Sequence, residues 1–161
     1  MKKQIILRTW MLIMIFGLIS GTCYSCSQGD PSIQVQYETR DMKNSTKKIT
    51  ISIGSKTFTA ALLDNEAANS FFDLLPLTVT MTELNRNEKY YRLPKNLPTN
   101  PATPGTILSG DLMLWGANTV VIFYETFDTS YSYTRLGKID DPDGLKAALG
   151  AGNVSVSFSK E

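Results

Sequence analysis

The sequence predicts a mainly β fold, a small closed barrel carrying one longer and one short helix. Three observations carry that expectation. Four stretches alternate apolar and polar residues with period two: Ile49-Ile51-Ile53, Phe58-Ala60-Leu62, Leu77-Val79-Met81 and Val154-Val156-Phe158. Two apolar runs, Asp111–Trp115 and Thr119–Tyr124, flank the short break Gly116-Ala117-Asn118, which reads as a tight reversal between antiparallel strands. Helical spacing of apolar residues is confined to one stretch ending at Pro76 and a shorter one ending at Gly150.

In chain order, Ile49 to Ile53 gives a strand with one buried face. Gly54-Ser55 turns it into a second strand over Phe58–Leu62. Asp64 or Asn65 then caps a helix through Leu75, with Ala68, Phe71, Phe72 and Leu75 on one stripe and Pro76 ending it. Leu77, Val79 and Met81 alternate with threonines in a third strand. Asn85 to Thr106 holds Pro94, Pro98, Pro101 and Pro104 and reads as a long loop, with room for a short strand at Lys89–Leu93. The two central runs are apolar at consecutive positions, so their strands are covered on both faces or offer one face to a ligand. Tyr133–Ile139 makes a further strand. Asp141-Pro142 opens a short helix that Gly150 closes, and Val154–Phe158 is the last strand. Pairing of that strand with the first would close the barrel and remove two edges.

The amino-terminal residues carry an address. Lys2, Lys3 and Arg8 precede Trp10–Ile19, an apolar run broken only by Gly17, and small polar residues follow. The run is about ten residues, where a spanning helix needs roughly 20. Residues 1–25 therefore read as an export signal. Cys23 and Cys26 follow, with no βα context for a redox pair and too few partners for zinc. Cys26, between Ser25 and Ser27-Gln28-Gly29-Asp30, resembles the lipid-modified first residue of a bacterial lipoprotein, although Cys23 stands three places before it where Leu is usual. Residues 26–47 then form a polar tether, the alternative being a short added strand at Ile33–Tyr37. Residues 48–161 are the folded domain. The expectation is a lipid-anchored protein of the bacterial cell envelope, exported across the inner membrane.

Removing the signal leaves 13 basic against 15 acidic residues, a formal charge of −2. Such a body lacks the clustered basic surface that nucleic acid requires. The chain contains no histidine, which excludes Ser-His-acid triads and histidine metal sites. Asp140, Asp141 and Asp143 lack the alternate-residue spacing of a calcium loop and suit a helix N-terminus. Asp111 after Gly110 suits a turn cap and not a phosphate loop. No cofactor, metal or catalytic residue is assigned.

The stretches LDNEAANSFFDLLPLTVTM (Leu63–Met81), EKYYRLPKNLP (Glu88–Pro98), GTILSGDLMLWG (Gly105–Gly116) and YSYTRLGKIDDPDGL (Tyr131–Leu145) resemble the bacterial cyclophilin-like family, of the type found as Bacteroides lipoproteins. The resemblance covers Lys48 to Phe158 and implies a cyclophilin-like barrel. Cyclophilins proper isomerise the bond before proline with an arginine on the strand after the first helix. Leu77–Leu84 has no arginine, the nearest being Arg86 and Arg92. The expected tryptophan and histidine are missing from ETFDTSYSYTR, and the core-strand phenylalanine corresponds to Phe123.

Aromatics concentrate around the long loop and the central strands. Trp115 and Phe123 are expected in the core, whereas Tyr90, Tyr91, Tyr131 and Tyr133 suit a rim because their hydroxyls need partners. Aromatic grooves with a guanidinium hold extended peptides. The candidate ligand site is therefore Tyr90, Tyr91, Arg92, Met113, Trp115 and Phe123. The function expected is a non-catalytic binding module for a peptide or small molecule. The alternatives are a prolyl isomerase using Arg92 as a displaced arginine, and a structural envelope protein.

Overall fold

In the computed structural model, residues 47–161 are described; the signal, Cys26 and nearly all of the tether lie outside them. Ten strands and two helices follow one another: β1 (Lys47–Ile53), β2 (Lys56–Leu62), α1 (Glu66–Phe72), β3 (Leu77–Leu84), β4 (Glu88–Arg92), β5 (Gly105–Ile107), β6 (Asp111–Trp115), β7 (Thr119–Phe123), β8 (Phe127–Thr129), β9 (Thr134–Ile139), α2 (Leu145–Leu149) and β10 (Val154–Lys160). Eight of the strands close a barrel in the order β1-β10-β3-β4-β7-β6-β9-β2. Closure is made where β1 meets β10, Ile51 opposite Phe158, as the alternation at the two ends of the sequence requires.

The interior is filled by the inward residues of the alternating strands. Ile49, Ile51, Leu62, Met81, Leu112, Ile122, Val156 and Phe158 belong to one buried cluster. α1 covers one part of it. Asn65 caps the helix by accepting from the Ala68 amide at 2.8 Å, and Phe71 meets Phe158 edge-on at 5.5 Å. The helix is shorter than expected and ends at Phe72. Pro76 disfavours a helical Leu75, so the chain leaves through tight turns in which the Leu74 and Leu75 amides donate to Phe71 and Phe72.

The stretch Asn85–Thr106 is not one loop. Its first part turns through Asn85 and Arg86, both in the left-handed region (φ 55° and 61°), and becomes β4, a central barrel strand between β3 and β7. The short strand expected at Lys89–Leu93 is thus present one residue earlier, and its Lys89 faces into the barrel end. It is fully buried there, donating to the Gly150 and Gly152 carbonyls at 2.8 and 2.6 Å and to Glu83, which also accepts from the Tyr124 hydroxyl at 2.6 Å. All three ammonium hydrogens have acceptors, so the charge is tolerated.

β6 and β7 are buried on both faces. Leu112, Leu114, Val120 and Ile122 point inward, while Met113, Val121 and Phe123 point outward into a second cluster with Ile107 and Tyr133. That outer cluster is roofed by β5 and β8, a separate two-stranded sheet. Asp111 accepts from the Leu108 amide at 2.9 Å and so fastens the turn into β6, as expected. α2 begins after Gly144 (φ 80°), later than the Asp141-Pro142 start expected, and no side chain caps it. The acids sit instead in the preceding turn, where Asp141 accepts from the Asp143 amide.

Candidate functional site

The pleat of β4 decides the site. Its register places Glu88 opposite Phe123, Tyr90 opposite Val121 and Arg92 opposite Thr119, so these alternate residues share the outer face of the barrel. Across from them runs Phe127–Tyr131, held by β8 pairing with β5. Between the two lies a groove of about 540 Å³, lined on one side by Glu88, Tyr90 and Arg92 and on the other by Phe127 and Tyr131, with Trp115 at one end. That volume suits a small molecule or a short peptide segment.

Three of the six candidate residues, Tyr90, Arg92 and Trp115, thus converge on one groove. Trp115 is not in the core. It is the last residue of β6, opposite Thr119 at the hairpin end, and is 51 % exposed. Phe123 is in the core as expected, fully buried beneath the groove, with Tyr133 and Phe127 packed against it at 5.5 and 5.7 Å. Tyr133 is buried there and is no rim residue, whereas Tyr131 is 68 % exposed. Tyr91 has the opposite pleat to Tyr90 and packs against the main interior cluster. Met113 lines a second cavity, of about 610 Å³, between the start of α1, the Pro98–Pro104 segment and the start of β9. Tyr133 stands between the two cavities and lines both.

Two polar groups of the groove were missed in the sequence. Glu88 is only 9 % exposed, and burial, then the charge of Glu83, pushes its carboxyl up to about 7. Asn87, which also lines the groove, has a buried Oδ1 without a hydrogen-bond donor. The available signal was the alternation Glu88-Tyr90-Arg92, which puts all three on one face once β4 is read as a strand. Tyr133, beside them, has its hydroxyl pushed up by burial and then by the Glu88 charge. Among the described residues no cluster of three acids or cysteines could hold a metal ion.

The backbone position of Arg92 is set well away from Phe123 along β4. Glu88 is the residue opposite Phe123, and Arg92 is four positions further along β4, roughly 13 Å at strand rise. Another arginine, Arg135, lies opposite Met113 and lines the other cavity.

Comparison with known proteins gives three findings. The model of the cyclophilin-like family matches residues 51–159. A hypothetical protein of Archaeoglobus fulgidus, solved in solution, is similar in structure, with a TM-score of 0.51 at 18 % identity over 71 % of this chain and 95 % of that one. Among curated proteins there is no significant match.

Proposed function

The chain belongs to the cyclophilin-like family, and from that premise we propose that it is a binding module, taking a peptide or small molecule in the groove between β4 and the Phe127–Tyr131 segment. The observation that carries this reading is the pair of exposed aromatics, Trp115 and Tyr131, on an open groove whose base is the outer face of β4 and β7. Large aromatic side chains left in water beside a concave surface are what recognition sites use as anchors. The groove is already formed by paired strands, so little conformational entropy is lost when a ligand enters.

Catalysis of proline isomerisation fits this surface less well. Charge must be placed where the amide twists, and the sign required is positive. Opposite Phe123 the groove has a carboxyl, and Arg92 lies at the far end. Arg92 nevertheless lines the same groove, which keeps isomerisation as the second reading. The proposed location is the bacterial cell envelope, with the domain held to a membrane by a lipid on Cys26. The short apolar run before Cys26 and the polar residues after it support that location.

The test is selection of peptides from a random display library on the Cys26→Ser chain, repeated with Trp115→Ala. Peptides that bind the parent and lose at least tenfold in affinity with Trp115→Ala support the module. Equal recovery on both chains contradicts it. A proline-peptide exchange assay decides the second reading: robust turnover abolished by Arg92→Ala would make the protein an isomerase.

A further inference from the structure

Glu88 is the anomaly of the molecule. The residue is only 9 % exposed, and among the described residues no side chain or backbone group donates a hydrogen bond to its carboxyl. The other buried charges are treated differently. Lys89 has three acceptors, and Asp111 accepts from the Leu108 amide. Leaving a buried charge without a partner is costly, and a fold that pairs its other buried charges has a reason to leave one open. Beside Glu88, the Oδ1 of Asn87 is fully buried without a donor, the one such side-chain atom among the described residues, whereas the Glu88 oxygens are not enclosed in that way and border the groove. Both residues line the groove.

A carboxyl with no donor, bordering a groove, calls for a ligand group that brings hydrogens and a positive charge. An ammonium has three. The walls suit it also. Tyr90 is on the same face two residues along β4, and Phe127 packs on Phe123, the residue opposite Glu88. Aromatic faces attract cations when water is excluded. A metal ion would need more ligating side chains than the site has. We infer that the inner end of the groove, at Glu88, Asn87, Tyr90 and Phe127, is a subsite for a protonated primary amine such as a lysine side chain. This rests on the groove being the binding surface, and it names the chemistry of the ligand there.

The charged and titratable groups around Glu88 make binding depend on pH. Glu83 on β3 and Asp128 on β8 are acidic, Tyr133 and Tyr124 are phenols held neutral, and Arg92 lies four residues along the strand. Lys89 faces the opposite side with its hydrogens taken. Among the described residues nothing therefore pairs with Glu88. When an amine enters at neutral pH, the Glu88 carboxylic proton leaves to solvent, and the carboxylate accepts from the ammonium. No covalent bond forms or breaks apart from that O–H. With a carboxyl near 7, affinity at pH 5.5 should be roughly 30-fold below that at pH 8.5.

The experiment is an NMR titration of the full chain with n-butylammonium chloride and, as the uncharged counterpart, n-butanol. The expected result is saturable movement of the Asn87 side-chain amide and Tyr90 signals with butylammonium at pH 8.5. The affinity should weaken about 30-fold by pH 5.5 and be lost in Glu88→Gln, with no saturable response to butanol. The glutamine is isosteric, and an unchanged spectrum away from the groove shows that the variant is folded. Equal responses to the two probes, or unchanged binding in Glu88→Gln, overturn the amine subsite and leave the groove reading standing. Absence of any response to butylammonium overturns the subsite as well. The groove reading fails separately, when peptide selection is indifferent to Trp115.

Discussion

Glu88 and Glu83 are neighbouring carboxyls with opposite behaviour. The ordinary value for both is 4.5, and Glu88 is raised to about 7 by burial and by the charge of Glu83. Burial also pushes Glu83 up, but hydrogen bonds from Lys89 and Tyr124 and the lysine charge prevail and hold it below the ordinary range. The native state binds the Glu88 proton more tightly than the unfolded chain does. Its contribution to stability is thus complete below pH 4.5 and is lost as pH rises to 7, to the extent of roughly 3 kcal/mol. Glu83 contributes above pH 4.5, and its contribution falls away as the carboxyl is protonated in more acid solution. We predict that Glu88→Gln raises stability at pH 8 by about 1–3 kcal/mol and is neutral near pH 4, measured by urea unfolding at both values. A destabilised Glu88→Gln at pH 8 would show that the carboxylate has a partner in the native state. The adjacent tyrosines separate binding from packing. Tyr91→Ala should lower the melting temperature because Tyr91 packs on the interior, whereas Trp115→Ala should leave it nearly unchanged and reduce ligand affinity.

At the scale of elements, β4 and β9 depend on single residues. β4 carries Lys89 into the barrel end. Lys89→Ala should cost about 3–5 kcal/mol, since it leaves Glu83 and two carbonyls without their donor, while Lys89→Met with Glu83→Gln should recover much of that. Calorimetry of the two variants compares them directly. Gly137 in β9 lies so close to β2 that a Cβ would collide with the Ala61 carbonyl. Gly137→Ala should therefore destabilise by about 1–3 kcal/mol or more, seen in the same melting experiment. β4 also marks a limit of what the sequence discloses. β1, β2, β3 and β10 were legible because one face of each is apolar and the other polar, the pattern period two produces. β6 and β7 were legible from their unbroken apolar runs. β4 was legible only as a short strand at Lys89–Leu93 within a loop, because its inward position holds a lysine whose partners are Glu83, six residues back, and the distant Gly150 and Gly152. β5 and β8 were hidden because three residues each carry too little pattern, and their pairing joins segments about twenty residues apart. The groove was half legible for the same reason. Aromatic composition indicated Tyr90, Arg92 and Trp115, but the pleat alone separates Tyr90 from Tyr91 and brings Glu88 alongside.

For the whole molecule, the barrel is a scaffold that exposes one worked face. Closure leaves its strands without free edges, so the outer cluster of Met113, Val121, Phe123 and Tyr133 needs a roof, which β5 and β8 supply. The roof stops short of Glu88, Tyr90 and Arg92, and that shortfall is the groove. Among the described residues no helix is long and apolar enough to cross a membrane; the membrane attachment proposed is the lipid on Cys26. Cys26→Ser should abolish acyl labelling and move the chain out of the membrane fraction; unchanged partitioning would remove the anchor from the account. As proposed, the groove is where a ligand sits. The most direct measurement of this is a structure, by NMR or crystallography, of the chain with a peptide selected on it. Contacts to Tyr90, Trp115 and Tyr131 are expected, with a basic side chain at Glu88. A peptide seated away from β4 and the Phe127–Tyr131 segment would contradict the proposal.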